Sequence, residues 1–254
     1  LSFIVSGQQV FLKSRACPFL CIITILLIAK GLLKLLKCQL TSIVPGFGSS
    51  PKLLVPLNAK SIVEPTASFW DCGEFIASSY KLLVGHPPGA PVFMLIGRIF
   101  TLFAPDPSKV AVMMNAMSAL SSAFTILFLF WTITMLARKL VVRGGEITKA
   151  NMVAIFGSGL VGALAFTFSD SFWFSAVEGE VYAMSSFFTA ITFWAILRWE
   201  RVAEEKHADR WIIFIAFLIG LSIGVHMLNL LAIPAIAFVY YFKKYKTSLN
   251  GVLI

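Results

Sequence analysis

Three long apolar runs in the second half of the sequence constrain its fold more than any other feature. The runs cover residues 110–137, 151–169 and 181–197. A helix of about 20 apolar residues crosses the hydrocarbon core of a bilayer. The composition agrees, because 58% of the residues are hydrophobic and only 13% are charged, whereas about 25% are charged in a typical soluble domain. We therefore predict an all-α fold, a polytopic bundle of transmembrane helices.

The charged residues between these runs predict which loops face the cytoplasm. After residue 110 the basic residues fall in clusters at 138–149, 198–210 and 243–246, whereas the loop 169–180 has three acids and no base. Cytoplasmic loops are enriched in Lys and Arg, so the clusters are predicted to be cytoplasmic and the acidic loop to face outward. The basic residues form no stripe with interleaved aromatics, so we predict membrane lipid rather than nucleic acid as their partner.

The same argument places two further segments. Residues 211–242 are apolar throughout but short for two full spans. Because basic clusters flank them on both sides, they are predicted to cross and return as paired short helices that turn near residues 225–229. The segment 63–109 is then an outer-face loop. Arg98 would be costly inside lipid, so we expect residues 88–104 to form a helix that lies at the outer interface.

The first 62 residues differ from the rest of the chain. They are basic, interrupted by Pro, Gly and Ser, and contain one weak candidate membrane helix near residues 19–29. We therefore divide the sequence into an atypical N-terminal segment, 1–62, and a membrane domain, 63–254. The chain starts with Leu1 rather than Met, and we expect it to be a fragment of a longer protein.

Polar chemistry is concentrated in the stretch SFWDCGEFIASSYKLLVGHPPGAP, residues 68–91. Asp71 and Glu74 are three apart and share one face of a helix. Such close carboxylates repel, so one has a raised pKa, which suits a general base acting on a hydroxyl. The alternative is an acid that offsets the dipole at a helix start. His86 precedes a rigid double proline and is placed either to contact a phosphate or orient an acid, or simply in a turn.

Three other polar residues are candidates for a site. Glu178 and Glu180 lie at the mouth of the 181–197 span, where acids are functional candidates, and the alternative is a solvated loop. His226 lies among apolar and small residues, which is typical of a core position, and the alternative raised by its predicted outward turn is contact with a lipid-linked phosphate. The sequence has no phosphate-binding loop, dinucleotide-binding glycine pattern or metal-ligand spacing. We therefore predict no metal site and no cofactor, and leave a need for divalent metal open.

Three stretches carry a family resemblance. They are EPTASFWDCGEFIASSYKLLVGHPPGAPVFMLIGRIF (Glu64 to Phe100), SDSFWFSAVEGEVYAMSSFFTAI (Ser169 to Ile191) and GLSIGVHMLNLLAIPAI (Gly220 to Ile236). They closely resemble bacterial membrane proteins of the domain-of-unknown-function 2723 family. That family is similar to protein O-mannosyltransferases and belongs with the glycosyltransferase-C superfamily.

The resemblance implies a glycosyltransferase in the bacterial cytoplasmic (inner) membrane, with its active site on the non-cytoplasmic face. It implies a polyprenyl-phosphate sugar as donor and a hydroxyl of a protein or glycan as acceptor. The catalytic acid of the first outer loop maps best to Asp71 and next to Glu74. The His-Pro-Pro of relatives is matched by His86, Pro87 and Pro88. It also implies a further C-terminal portion that this chain lacks.

The donor's phosphate is expected to lie near the membrane. The predicted substrate- and donor-binding residues are His86, Arg98, Glu178, Glu180 and His226. Two other functions remain open at this point. A transporter or flippase would also place acids near the mouths of helices, although the sequence shows no internal repeat. A membrane subunit without catalytic activity is the remaining alternative.

Overall fold

The computed structural model describes residues 66–68, 70–142 and 147–245. These residues form eight α-helices and no strand, which confirms the predicted all-α fold. The helices are α1 Cys72–Lys81, α2 Pro91–Thr101, α3 Val110–Val141, α4 Lys149–Thr167, α5 Asp170–Val177, α6 Val181–Val202, α7 Asp209–Ile223 and α8 Ala232–Lys244, with 3₁₀ turns at Pro107–Lys109 and Met227–Leu231. The weak helix predicted within residues 1–62 lies outside the described residues.

Four of the described segments are long and apolar enough to cross a membrane. They are Pro107–Val141, Lys149–Thr167, Val181–Val202 and Met227–Lys244. This confirms the predicted bundle of membrane helices, and the protein is an integral membrane protein. Helix α7 is shorter, since its 15 residues extend only about 22 Å at 1.5 Å per residue.

Helices α3 and α6 form the centre of the bundle. Helix α3 packs along both α4 and α6, and α6 also packs against α7 and α8. The buried core is built from large apolar side chains of α2, α3, α6 and α7. Its members include Phe93, Met114, Met117, Phe188, Ile196, Trp199 and Leu218.

A buried amide fixes the connection between α7 and α8. The 3₁₀ turn Met227–Leu231 overlaps residues 225–229, where the sequence predicted the turn. Asn229 is fully buried, and its Nδ2 donates to Thr192 Oγ1 at 3.2 Å and to Ser222 Oγ at 3.0 Å. These bonds attach the turn to α6 and α7, because a buried amide left without partners is costly.

Helix α2 lies within the predicted interfacial segment and begins at Pro91, which is typical of a helix start. Its first turn is held to the end of α7, because the Val92 N–H donates to the Gly224 carbonyl at 2.8 Å. The outer side of α2 exposes Leu95 and Ile99, which are 59% and 55% exposed. An exposed apolar face on a short helix agrees with a location at the membrane surface, which stays a prediction.

Close packing of α3 against α4 depends on Gly159. A Cβ at this position would lie 2.6 Å from Thr134 Cγ2 and 2.9 Å from Phe130 Cε2, whereas a Cβ at Gly157 would meet nothing within 4 Å. We expect Gly159→Ala to lower the free energy of unfolding by about 1–3 kcal/mol through overpacking. Gly157→Ala, the matched control on the same helix, should be neutral or stabilise by up to about 1 kcal/mol. Unfolding of both variants in detergent checks this, and equal stabilities would contradict it.

Candidate functional site

A two-point contact joins the start of α1 to the loop before α2. Glu74 lies in the first turn of α1. The His86 backbone N–H donates to Glu74 Oε1 at 2.6 Å, and His86 Nδ1 lies 3.0 Å from Glu74 Oε2. A carboxylate only accepts hydrogen bonds, so Nδ1 carries a proton. The bond from the His86 backbone, followed by that from its ring, lowers the pKa of Glu74, and the Glu74 carboxylate raises the pKa of His86.

Asp71 lies on the other side of the His86 ring. Its Oδ2 is 3.9 Å from His86 Nε2, and its side chain is 55% exposed. Asp71 occupies the N-cap of α1, which is the position that the alternative interpretation predicted, but its carboxylate makes no capping hydrogen bond. The carboxylate is therefore accessible to a molecule that approaches from outside the bundle.

The acids of the α5–α6 loop lie beside the same end of α1. Cys72 Sγ donates a hydrogen bond to Glu180 Oε1 at 3.7 Å, and the Asp71 backbone N–H lies near the same carboxylate. The side chains of Ser68 and Cys72 lie close to Glu178 and favour its charged form. Burial raises the pKa of both glutamates. Burial, together with these carboxylates, raises the pKa of Cys72 to about 12, so the thiol stays protonated.

Most of the predicted site residues thus meet at one end of the bundle. We call this group the acid–His cluster, which consists of Asp71, Glu74, His86, Glu178 and Glu180. Its members come from two segments, residues 71–86 and 178–180, which are far apart in sequence but adjacent in the fold, since Cys72 contacts Glu180 across a separation of 108 residues. The arrangement places one accessible carboxylate next to a histidine that a second carboxylate holds in position.

A family model covers the whole of this cluster. The model described as the protein O-mannosyl-transferase TMEM260 N-terminal domain matches residues 71–249. The chain belongs to this family. The match begins at Asp71, so all the predicted site residues lie within the TMEM260 N-terminal domain.

Two curated relatives are similar to this TMEM260 N-terminal domain. The protein O-mannosyl-transferase tmem260 of Dictyostelium discoideum is 28% identical over 181 residues, which cover 67% of this chain and 20% of the relative. The protein O-mannosyl-transferase TMEM260 of Mus musculus is 27% identical over 153 residues, which cover 60% of this chain and 19% of the relative. The chain therefore spans about a fifth of the length of these relatives. No solved structure matches it.

Arg98 lies apart from the acid–His cluster of this TMEM260 N-terminal domain. Its Nη1 donates to the Tyr80 carbonyl at 2.5 Å, and its guanidinium lies 5.6 Å from the centre of the Tyr80 ring. Tyr80 is at the other end of α1, about 14 Å from Asp71 at 1.5 Å per residue. Arg98 therefore attaches α2 to the last turn of α1, where backbone carbonyls lack helical partners.

His226 lies outside the acid–His cluster, at the start of the 3₁₀ turn between α7 and α8. Its Nδ1 accepts a hydrogen bond from the Leu228 N–H at 3.2 Å. The ring centre lies 5.6 Å from that of Tyr182, which follows Glu180 by two residues. The ring of Tyr182 therefore connects His226, on the α7–α8 turn, to the start of α6 that follows the acidic loop.

A cation is also compatible with part of the acid–His cluster. One ligand atom from each of Asp71, Glu74 and His86 lies within 4.8 Å of the other two. Carboxylate oxygens and imidazole nitrogen are common ligands of divalent transition metals. This set of ligand atoms was not visible as a metal-binding motif in the sequence, because Glu74 and His86 are 12 residues apart and meet only through folding of the loop.

Sequence reasoning missed two buried residues that support the cluster. Cys72 is fully buried between the two loops, and Asn115 of α3 is 1% exposed. Asn115 Nδ2 donates to the Thr66 carbonyl at 3.2 Å, and a Cβ at Gly179 would lie 3.0 Å from Asn115 Oδ1. A polar amide in an apolar span was the available signal for Asn115.

The burial of Glu180 predicts how stability depends on pH. Because its pKa is raised in the folded state, the free energy of unfolding should fall as pH rises from the ordinary carboxyl pKa through the raised value. Glu180→Gln keeps an oxygen that accepts from Cys72 but removes the charge. We expect this variant to lose less thermal stability than the wild type between about pH 5 and about pH 8.

Melting temperatures in detergent across this pH range check the prediction. Glu205→Gln is a suitable control because Glu205 is exposed and lies after the C-terminal end of α6, away from the cluster. The control should keep the wild-type slope. An unchanged slope in Glu180→Gln would show that the buried charge is not the cause.

Proposed function

We propose that this chain is part of a membrane protein O-mannosyltransferase and that it carries the group that activates the acceptor hydroxyl. The observation that supports this most is the acid–His cluster, in which an accessible Asp71 lies beside a His86 that Glu74 holds in place. A positioned carboxylate next to a hydrogen-bonded histidine suits general base catalysis. The family and the names of both relatives support the reaction class.

In the proposed reaction, Asp71 accepts the proton of a Ser or Thr hydroxyl on the acceptor protein. The hydroxyl oxygen bonds to the anomeric carbon of the sugar while the bond from that carbon to the phosphate oxygen breaks. Polyprenyl phosphate leaves with the bonding electron pair. A protonated His86 ring would attract the phosphate, because opposite charges attract each other.

We further propose that the acid–His cluster faces the non-cytoplasmic side. The cluster lies at the end of the bundle where α3 and α6 begin, whereas the basic residues that follow these helices lie at the opposite end. The positive-inside rule then places the basic end in the cytoplasm. The bacterial cytoplasmic membrane stays a prediction, and the two relatives described above come from Dictyostelium discoideum and Mus musculus.

Reconstitution of the full-length protein tests this function. The purified protein in lipid nanodiscs would be mixed with a short-chain polyprenyl-phosphate mannose and a Ser/Thr-rich acceptor protein, and mass spectrometry would follow addition of a hexose. We expect addition with the lipid-linked donor and none with a nucleotide-linked mannose. Transfer from the nucleotide sugar alone would contradict the donor class. Transport of a solute into proteoliposomes without any glycosylated product would instead support a transporter.

A further inference from the structure

Three arginines gather at the end of the bundle opposite to the acid–His cluster. Arg138 lies in the last turn of α3, and Arg198 and Arg201 lie near the end of α6. Arg198 and Arg201 are three apart and share a helix face. The ion pair between the neighbouring residues Lys139 and Glu200 joins the end of α3 to the end of α6, and these two helices pack along each other. Arg138 therefore lies close enough for its charge to act on Arg201, and we call Arg138, Arg198 and Arg201 the arginine triad.

The carboxylates near the triad form ion pairs with other basic residues. In the described part of the chain, the ion pairs at this end are Lys139–Glu200 and Lys243–Glu204. None of the three arginines pairs with a carboxylate among residues 66–68, 70–142 and 147–245. Like charges held together repel one another. The triad therefore favours an anion that comes from outside these helices.

An aromatic surface runs from the triad toward the middle of the bundle. The Arg198 guanidinium lies 5.6 Å from the centre of the Trp211 ring. Trp211 contacts Trp194 at 5.7 Å, and Trp194 contacts Phe128 at 5.2 Å and Trp131 at 5.9 Å. These four rings, the aromatic wall, join α3, α6 and α7.

The rings of the wall keep part of their surface exposed. All four of its rings are half-buried rather than buried. Trp131 precedes Arg138 on α3 by about 10 Å at 1.5 Å per residue, and Trp194 precedes Arg198 by one helical turn. The charged group thus lies at the level where membrane helices end, and the apolar rings lie deeper.

We infer that the arginine triad binds the phosphate of an anionic phospholipid, with an acyl chain of that lipid against the aromatic wall. Guanidinium groups bind phosphate oxygens in a bidentate manner. Basic pockets between membrane helices on the cytoplasmic side bind anionic head groups. A soluble anion would use the triad alone, whereas a phospholipid uses the triad and the wall together. This site is independent of the proposed sugar transfer.

Native mass spectrometry of the detergent-purified chain tests the inference, with phosphatidylglycerol and phosphatidylcholine as probes. We expect the wild type to retain phosphatidylglycerol in preference to phosphatidylcholine. Arg201→Gln should weaken phosphatidylglycerol binding about fivefold, and Arg198→Gln combined with Arg201→Gln by more than about tenfold. Because Arg201 is exposed, its single variant tests the charge even where the double variant folds poorly.

The matched control is Lys149→Gln. Lys149 is an exposed basic residue at the same end, but it begins α4, which packs on α3 rather than on α6 or α7. This variant should bind phosphatidylglycerol as the wild type does. Equal losses in Lys149→Gln and Arg201→Gln would overturn the inference in favour of general surface charge. Undiminished lipid binding by the double variant, or Arg-dependent binding of inorganic phosphate without any lipid preference, would also overturn it.

Discussion

Asp71→Asn in the full-length protein is expected to reduce the rate of sugar transfer by about 100- to 10,000-fold, the usual contribution of a general base. The substitution removes the carboxylate that accepts the proton but keeps the shape of the side chain. The Asp71 side chain is 55% exposed and makes no capping hydrogen bond. Expression and melting temperature should therefore change little, so a loss of activity would reflect chemistry rather than folding.

Initial rates with the lipid-linked donor check this result. Asp170→Asn is the matched control, because Asp170 is an exposed acid at the start of α5 that lies outside the acid–His cluster. The control should keep the wild-type rate. Full activity of Asp71→Asn would remove Asp71 from the role of base. A large loss in Glu74→Gln together with that result would assign the proton transfer to Glu74.

Glu74→Gln is expected to slow transfer about tenfold near neutral pH, with the loss growing as pH rises. The Glu74 carboxylate raises the pKa of His86, first through its hydrogen bond and then through its charge. A neutral amide would let this pKa fall back toward its ordinary value. If the positive ring assists the reaction, the transfer rate falls as pH rises through the His86 pKa. This fall in the rate should occur at a lower pH in the variant than in the wild type.

Rates measured from about pH 6 to about pH 9 reveal the shift, since His titrates in this region. Adding Glu74→Gln to a His86→Ala protein should cause little further loss, because both residues would act through one contact. If the transfer rate falls at the same pH in Glu74→Gln and in the wild type, the role given to the charged ring is contradicted.

The membrane helices were predictable because lipid imposes a simple pattern on sequence. Helix α3 begins at Val110, where the first long apolar run begins, and α6 begins at Val181 directly after the acidic loop. Backbone groups in lipid must be satisfied within a helix, so apolar length alone predicts the element. The short helix α5 lies within the acidic loop, where no such constraint applies, and it was not predicted.

The candidate site was predictable as a set of residues but not as a geometry. Charge placed Asp71 and Glu180 on the same side of the membrane, but charge patterns carry no information on distance. The contact between Glu74 and His86 depends on how the loop between α1 and α2 folds. The phosphate-binding role of Arg98 stays a prediction. Its hydrogen bond to the Tyr80 carbonyl could not be predicted from the charge pattern, because it depends on how α1 and α2 pack.

The buried thiol of Cys72 offers a chemical reporter of this region. Thiolates rather than thiols react with alkylating reagents, and the Cys72 thiol has a pKa of about 12 and no exposed surface. It should therefore resist labelling for as long as the start of α1 and the α5–α6 loop stay together. Any substrate or partner that separates the α1 and α5–α6 loops would expose the sulfur. Peptide mapping of Cys72 alkylation would then measure, in an intact membrane, how often the loops open.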